Sequence, residues 1–143
     1  MSTESPQRIW RLNRFRYGTW SGGLVGEKCK NGHLIFPPRD ICPEPDCHEE
    51  AKELVTIRGE GTVYSYTVVH DAPLGFEAQT PYVVALVRLD DGPMIAAQLT
   101  DVDPHQIEIG LKVEMVTRII QKGGKRGVIS YGYKFRPPIR SHV

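Results

Sequence analysis

Three cysteines and one histidine are spaced as the ligands of a zinc knuckle are spaced. Cys29 and His33 form one close pair, and Cys42 and Cys47 form a second pair further along the chain. Thiolate sulfur and imidazole nitrogen are ligands that tetrahedral Zn²⁺ prefers, and Gly32 permits the sharp turn that the first pair needs. The spacing predicts a zinc ribbon. Because protein side chains would fill all four positions, we expect a structural rather than a catalytic zinc.

Two other interpretations of this segment remain open. His48 could replace His33 as the fourth ligand, although a ligand directly after Cys47 would be awkwardly placed. Alternatively, the cysteines are buried free thiols in a knuckle that has lost its metal. A disulfide framework is disfavoured, because the number of cysteines is odd and the N-terminal residues do not read as an export signal.

The remaining motifs do not indicate catalysis. The sequence contains no nucleophile elbow, no P-loop and no dinucleotide-binding G-x-G-x-x-G. Gly59-Glu60-Gly61 lacks the third glycine and leads into a predicted strand. His70-Asp71 could form a base with an orienting carboxylate, but a histidine at a strand end is more often structural. We therefore predict that the chain is not an enzyme.

The composition is that of a globular protein. The chain has 143 residues, 40% of them hydrophobic, and a formal net charge of +1. This length allows one globular unit, or one small domain carrying a mini-domain. Its apolar runs are far shorter than the roughly 20 residues of a membrane-spanning helix, and no apolar stretch of a secretory signal is visible. We predict a soluble, cytoplasmic protein with no membrane association.

The charges are distributed unevenly along the chain. Residues 40–60 contain seven acidic and two basic side chains, whereas the residues after Glu114 contain seven basic and no acidic ones. A basic C-terminal third suits an anionic ligand or partner. The plainer explanation is that hairpin loops and a tail carry solvated lysines and arginines.

The expected secondary structure is mainly β. Residues 5–17 predict a short helix, with Ser5 as the N-cap and Pro6 at the first helical position. Residues 24–52 predict little regular structure, and Gly59-Glu60-Gly61 predicts a bulge or coil within one long strand. Alternating or continuous apolar residues predict strand segments at 54–58, 62–71, 82–89, 94–99, 112–121 and 128–135.

Five strands, arranged as a meander and a late hairpin, are typical of a small Greek-key barrel of the OB type, with a β-sandwich as the competing architecture. The expected order is therefore helix, zinc ribbon and barrel. The predicted organisation is an N-terminal helix and linker over 1–23, a zinc ribbon over 24–52, an OB-fold over 53–138 and a tail over 139–143.

Several segments carry a family resemblance when they are taken in order: Phe36-Pro37-Pro38-Arg39, Cys42-Pro43, residues 59–67, residues 81–87, residues 110–114 and residues 133–137. Together they resemble the acyl-CoA-associated family described as domain of unknown function thirty-five. This chain departs from the usual C-x-x-C-G and C-P-x-C knuckles, because Gly32-His33 stands in the first and Pro45-Asp46 lengthens the second. Histidine in place of one cysteine is still a zinc ligand.

The resemblance implies an N-terminal helix and a rubredoxin-like zinc ribbon joined to a C-terminal five-stranded OB-fold. Characterised members of that family are partners of thiolase-fold and related acyl-CoA enzymes. The resemblance therefore implies a non-catalytic accessory or scaffold protein that binds a thiolase-like enzyme and helps to hold or pass CoA thioesters. It does not imply an active site.

A CoA thioester carries phosphates at one end and a long pantetheine arm, so its binding site would need cations beside an apolar groove. Ordinary packing is the plainer explanation for each aromatic residue taken alone. Leu74-Gly75-Phe76, in the long loop before Pro81, is a candidate partner contact. The candidate CoA-binding residues are Trp20, Phe36, Arg39, Arg118, Lys122, Lys125 and Arg126.

Binding of single-stranded nucleic acid is the alternative function, because zinc ribbons and OB-folds both serve it. Alternate residues from Ile129 to Phe135 share one strand face, as a stacking platform would require. We instead assign that face to the barrel core, with Lys134 among the residues facing outward. The near-zero net charge also disfavours strong phosphate binding. A structural adaptor without a ligand is the third interpretation.

Overall fold

A computed structural model describes residues 24–122 and 129–139 of the chain. The predicted N-terminal helix over 5–17 lies outside the described residues, as does the loop over 123–128. Two compact units divide between Arg58 and Gly59. Among the described residues, no helix is both long and apolar enough to cross a membrane.

The first unit contains a three-stranded antiparallel sheet. Its strands are β1 (Leu24–Lys28), β2 (Leu34–Ile35) and β3 (Glu53–Ile57), in the order β2-β1-β3. Two short strands therefore occupy a segment that the sequence predicts to have little regular structure. The β1–β2 hairpin carries the first pair of predicted zinc ligands at its tip.

The strand predicted at 54–58 belongs to the ribbon sheet and not to the barrel. It is β3, and it pairs along its whole length with β1, from Leu24 opposite Ile57 to Lys28 opposite Glu53. The packing is close here: a Cβ on Gly26 would lie 2.6 Å from Ile57 Cδ1 and 2.6 Å from the Ile35 carbonyl oxygen. This cross-strand fit, between residues far apart in sequence, was not visible in the local pattern.

The second unit is a closed five-stranded barrel, which confirms the predicted OB-type architecture. The strand order is β4-β5-β6-β8-β7, and closure comes from an antiparallel β4–β7 pairing and a parallel contact between Leu99 and Phe135. Two 3₁₀ turns, Glu77–Gln79 and Pro104–Gln106, lie between strands. The strands are β4 (Glu60–Val69), β5 (Tyr82–Leu89), β6 (Met94–Leu99), β7 (Lys112–Lys122) and β8 (Ile129–Arg136).

A β-bulge changes which residues of β4 face the barrel interior. Val63 is buried opposite Val87, but the pairing shifts by one residue between Val63 and Ser65. The inserted residue is Tyr64, which is 50% exposed. The strict alternation predicted for this strand is therefore wrong beyond Val63, because a bulge moves the following residues to the opposite face. Ser65 consequently pairs with the exposed Leu86.

The Gly59-Glu60-Gly61 segment begins the second unit, and its last two residues are the first residues of β4. The interruption expected within one long strand therefore lies between β3 and β4, which belong to different sheets. A Cβ on Gly61 would lie 2.7 Å from the carbonyl oxygen of Arg88, so a larger residue would push apart the backbones of β4 and β5. The carbonyl of Gly59 accepts a hydrogen bond from the N–H of Met115 at 2.6 Å. A Cβ on Gly59 would lie 2.5 Å from Met115 Cβ, so close approach of a neighbouring strand explains both glycines.

Candidate functional site

The four predicted zinc ligands converge at one end of the ribbon sheet. The sulfur and nitrogen atoms of Cys29, His33, Cys42 and Cys47 all lie within 4.8 Å of one another. Cys29 Sγ is 3.8 Å from Cys47 Sγ and 3.4 Å from His33 Nδ1, and Cys42 Sγ is 3.5 Å from the same nitrogen.

These distances match a tetrahedral zinc centre. Zinc bonds of about 2.3 Å to sulfur and about 2.0–2.1 Å to nitrogen, at tetrahedral angles, place two sulfurs roughly 3.8 Å apart and a sulfur roughly 3.6 Å from a nitrogen. The donor set therefore fits one Zn²⁺, with His33 offering Nδ1. The predicted cofactor site is confirmed, and with four protein ligands the ion would be structural.

Backbone hydrogen bonds shape both ligand-bearing turns. The N–H of Gly32 donates to the carbonyl of Cys29, and the N–H of Cys29 donates to the carbonyl of His33, both at 3.0 Å. Gly32 has a φ of +87°, which glycine adopts without steric cost. In the second turn, the N–H of Cys42 donates to the carbonyl of Glu49 at 2.8 Å. Both turns are thus held by the protein itself.

Donors also point at the sulfur atoms. The backbone N–H of His33 donates to Cys29 Sγ at 3.3 Å, and Asn31 Nδ2 donates to Cys47 Sγ at 3.1 Å. Such donors stabilise thiolates and orient them toward the metal. Sequence reasoning did not identify Asn31, although its place between Cys29 and His33 in the tight turn offered a signal.

The three thiols differ in their readiness to lose a proton. Burial alone would raise the pKa of Cys29, but backbone hydrogen bonds from His33 and Asn31 lower it on balance. The pKa of Cys47 is lowered, chiefly by a backbone hydrogen bond from Glu49. Burial raises the pKa of Cys42 to about 11. Cys29 and Cys47 therefore lose a proton more readily than an ordinary cysteine does, and Cys42 less readily.

A buried carboxylate supports the second turn from β1. Glu27 is fully buried, and its Oε2 accepts hydrogen bonds from the backbone N–H groups of Arg39 and Asp40, both at 2.9 Å. Bonds of this charge-assisted kind compensate the cost of burying the carboxylate. Glu27 thereby holds the chain just before Cys42. The role of Glu27 was not expected from the sequence, because an acid followed directly by Lys28 is typical of the exposed end of a segment.

His48 does not join the ligand cluster. Among the residues that the structure describes, the cluster consists of the three cysteines and His33. His48 is exposed, and its φ is +53°. The preference for His33 over His48 is therefore confirmed.

The candidate CoA-binding residues are distributed over both units. Phe36 is half-buried and Arg39 is exposed, and both belong to the ribbon. Trp20, Lys125, Arg126 and the Lys122 side chain lie outside the described residues. The CoA-binding set therefore stays a prediction.

Arg118, the remaining candidate, is held by an acid on the barrel. Its Nη2 lies 2.7 Å from Asp101 Oδ2, and its Nη1 donates to the carbonyl of Thr117 at 3.0 Å. The hydrogen bond from Arg118 is the main reason that the pKa of Asp101 is lowered. Arg136 also lies near this acid, with Nη1 at 3.6 Å from Oδ2.

The proposed stacking face on β8 contributes to the barrel core where the structure describes its side chains. Phe135 is fully buried, and Tyr133 packs against it edge-on with 6.5 Å between ring centroids. Burial also raises the pKa of Tyr133. This agrees with the assignment of this face to the core, because a fully buried ring cannot stack on a base.

Lys134 is buried, whereas the sequence analysis expected it on an open outer face. It is 6% exposed, and its Nζ donates to Gln79 Oε1 at 3.2 Å. Gln79 ends the 3₁₀ turn in the loop between β4 and β5. Lys134 lies on the opposite face of β8 from Phe135, as alternation predicts, but the loop between β4 and β5 covers its side chain. A contact between segments so distant in sequence is invisible to strand periodicity.

Comparisons with known proteins assign both units to one family. Residues 21–53 match the family model "ChsH2, rubredoxin-like zinc ribbon domain", and residues 54–118 match "ChsH2, C-terminal OB-fold domain". The chain is 48% identical over 134 residues to a DUF35 domain-containing scaffold protein of Pyrococcus furiosus. The aligned residues make up 94% of this chain and 93% of the relative.

Two further matches are to proteins whose names refer to enzymes. The chain is 31% identical to "Benzoylsuccinyl-CoA thiolase subunit BbsA" of Thauera aromatica, over 79% of this chain and 75% of the relative. A solved structure described as "Ltp2-ChsH2(DUF35) aldolase" aligns with a TM-score of 0.65 at 28% identity, covering 97% of this chain and 99% of the other. The two family models agree with the ribbon, the barrel and the metal site, and the match to the first relative shows that the chain belongs to the DUF35 scaffold protein family.

Proposed function

We propose that the chain is a non-catalytic accessory protein that binds a thiolase-like acyl-CoA enzyme and helps to hold or pass its CoA thioesters. The observation that carries the proposal is the alignment of 97% of this chain with a chain of the Ltp2-ChsH2(DUF35) aldolase structure. The likeness to a protein named as a thiolase subunit supports the same role. Four protein ligands leave the zinc no open position for substrate, which favours scaffolding over catalysis.

The barrel presents an apolar surface that suits a protein partner. We call it the Arg88 face: Tyr64, Leu86, Arg88 and Met94, on the outside of β4, β5 and β6. Tyr64 is 50% exposed, and the Arg88 guanidinium lies 4.8 Å from its ring centroid. Met94 pairs with Arg88 across the strands, and Leu86 and Met94 are also exposed. Exposed tyrosine, arginine and methionine are enriched in protein interfaces.

The ribbon offers an exposed cation, close in sequence to an aromatic residue, for a CoA thioester. Within the described part of the chain, the Arg39 guanidinium forms no hydrogen bond or ion pair, while its backbone N–H is held by Glu27. Phe36 is half-buried three residues earlier. An exposed arginine on a fixed backbone suits a phosphate group, because little conformational entropy of the main chain is lost on binding.

Capture of the partner tests the accessory role. The tagged full chain is incubated with nuclease-treated lysate of the native host, and bound proteins are identified by mass spectrometry. We expect a stoichiometric thiolase-like enzyme. Leu86→Asp should reduce its recovery at least tenfold. Ile109→Asp, an equally severe change at an exposed apolar residue between the second 3₁₀ turn and β7, should not. Recovery of nucleic acid without such an enzyme would overturn the proposal.

Titration with CoA and acetyl-CoA separates a CoA-handling protein from a ligand-free adaptor. Calorimetry on the purified complex and on the chain alone should show binding that Arg39→Ala weakens and that Lys52→Ala, in the same unit, leaves unchanged. If neither CoA species binds to the complex, the chain is an adaptor only. Equal weakening by both variants would exclude a specific role for Arg39.

A further inference from the structure

Lys134 carries more positive charge than its surroundings neutralise. Among the side chains that the structure describes, Gln79 is the one hydrogen-bond partner of the Lys134 Nζ, and no carboxylate forms an ion pair with it. An ammonium group has three donors, so two remain unused by the described residues. A buried charge of this kind is costly unless it is paired and hydrogen-bonded.

The acids on this side of the barrel are already engaged by arginines. Asp101 pairs with Arg118 at 2.7 Å and lies 3.6 Å from Arg136, and Glu114 pairs with Arg136 at 3.1 Å. Together with Lys134, this group holds three positive and two negative charges. The uncompensated charge therefore sits on the most deeply buried member of the group.

The strand register places these side chains on one face. Lys134 pairs with Val116, and Arg118 pairs with Gly132, so Lys134 and Arg118 are diagonal neighbours across β7 and β8. On the other side, Leu99 contacts Phe135, which places Gln98 beside Lys134. Arg118 and Gln98 each retain N–H donors beyond those they use for Asp101, Thr117 and Gln79.

We propose that Lys134, flanked by Gln98 and Arg118, binds one oxyanion group, a carboxylate or a phosphate. The oxyanion takes the place of Gln79 Oε1, which accepts from both Lys134 at 3.2 Å and Gln98 at 3.4 Å. Gln79 lies in an irregular loop outside the barrel sheet, so its side chain can move without breaking strand pairing. This site goes beyond the proposed accessory function and does not depend on it.

The electrostatics of the lysine agree with this geometry. Burial lowers the pKa of Lys134, and the positive charge of Arg118 lowers it further, against the opposing effect of Asp101. A bound oxyanion would stabilise the charged amine, and charge-assisted bonds to Lys134 and Arg118 would hold the ligand in return.

Thermal unfolding of the full chain, loaded with zinc, tests the site. Phosphate and acetate are each titrated against chloride at constant ionic strength. We expect one or both oxyanions to raise the Tm of the wild type and of Gln106→Glu, a matched control in the other 3₁₀ turn. Lys134→Met, which retains the apolar stem, should weaken oxyanion affinity more than tenfold. A preference for phosphate identifies phosphorylated ligands, and a preference for acetate identifies carboxylic acids.

Gln79→Glu keeps the test informative if Lys134→Met fails to fold. This variant supplies its own carboxylate to Lys134, so we expect a higher Tm in chloride and no further rise with either oxyanion. The inference is overturned if neither oxyanion stabilises the wild type more than chloride does. It is also overturned if Gln79→Glu responds to the oxyanions as fully as the wild type.

Discussion

The carboxylate of Glu27 accepts a hydrogen bond at 2.9 Å from the backbone N–H of Asp40 and so joins β1 to the turn that leads to Cys42. Asp40 has a φ of +66°, a conformation that few residues other than glycine, asparagine and aspartate adopt. The contact therefore connects a buried charge, a strained turn and a metal ligand.

Replacement of Glu27 by glutamine should destabilise the ribbon. The amide keeps the shape but loses the charge that strengthens both backbone hydrogen bonds, so we expect the free energy of unfolding to fall by about 1–3 kcal/mol. Chemical denaturation of the zinc-loaded chain measures this loss. Glu53→Gln, at an exposed position on β3, should change stability by less than about 0.5 kcal/mol. Equal losses in the two variants would contradict a specific role for Glu27.

Removal of the histidine ligand should weaken zinc binding. We expect His33→Asn to reduce zinc affinity by at least the roughly 10–100-fold that outer-shell substitutions cost, because a direct ligand is lost. Chelator competition, with zinc content measured by mass spectrometry, gives the affinity. His48→Asn is the matched control, because asparagine tolerates the φ of +53° at that position. If His48→Asn instead caused the loss, the ligand assignment would be wrong.

Zinc binding should release protons at neutral pH. Burial raises the pKa of Cys42 to about 11, so this thiol is protonated at pH 7 in the metal-free folded chain and must lose its proton to bind zinc. Apparent affinity should therefore rise with pH over the neutral range. Calorimetry in buffers of different ionisation enthalpy counts the protons released. Zinc uptake without proton release at pH 7 would contradict this state of Cys42.

The ion pair between Asp101 and Arg118 should contribute to stability in a pH-dependent way. The hydrogen bond from Arg118 lowers the pKa of Asp101 below its ordinary 3.8. A lowered pKa in the folded state gives stabilisation that is fully present above the unfolded-state pKa and is lost as pH falls through the folded-state value. Asp101→Asn should therefore lower the free energy of unfolding by about 1 kcal/mol or less at pH 7.

The difference in the free energy of unfolding between the wild type and Asp101→Asn should shrink as the pH falls below 3.8. Urea denaturation at pH 7 and at progressively lower pH measures it. Asparagine is the appropriate substitution because Asp101 has a φ of +57°. Asp71→Asn, at an exposed position, should leave the free energy of unfolding almost unchanged at every pH. A constant difference across the pH range would show that the ion pair is not its cause.

Local spacing and periodicity were sufficient for the metal ligands and most strands. The ligand pairs Cys29–His33 and Cys42–Cys47 were predicted because tight turns bring residues four or five apart together. The strands over Tyr82–Leu89 and Met94–Leu99 were predicted with their observed bounds, because alternating apolar residues flank a turn in which Gly92 has a φ of +119°.

The sequence by itself therefore determined the zinc ligands and the five barrel strands, since each depends on residues close together along the chain. It also determined the likeness to a family, which depends on the order of short local segments. Only the tertiary structure decided that β3 pairs with β1, that Tyr64 is inserted as a bulge, and that Glu27 supports the turn at Asp40. It also decided that Gln79 covers Lys134. The physical reason is the same in each case: burial and partner choice arise from contacts between distant segments, which no local pattern encodes.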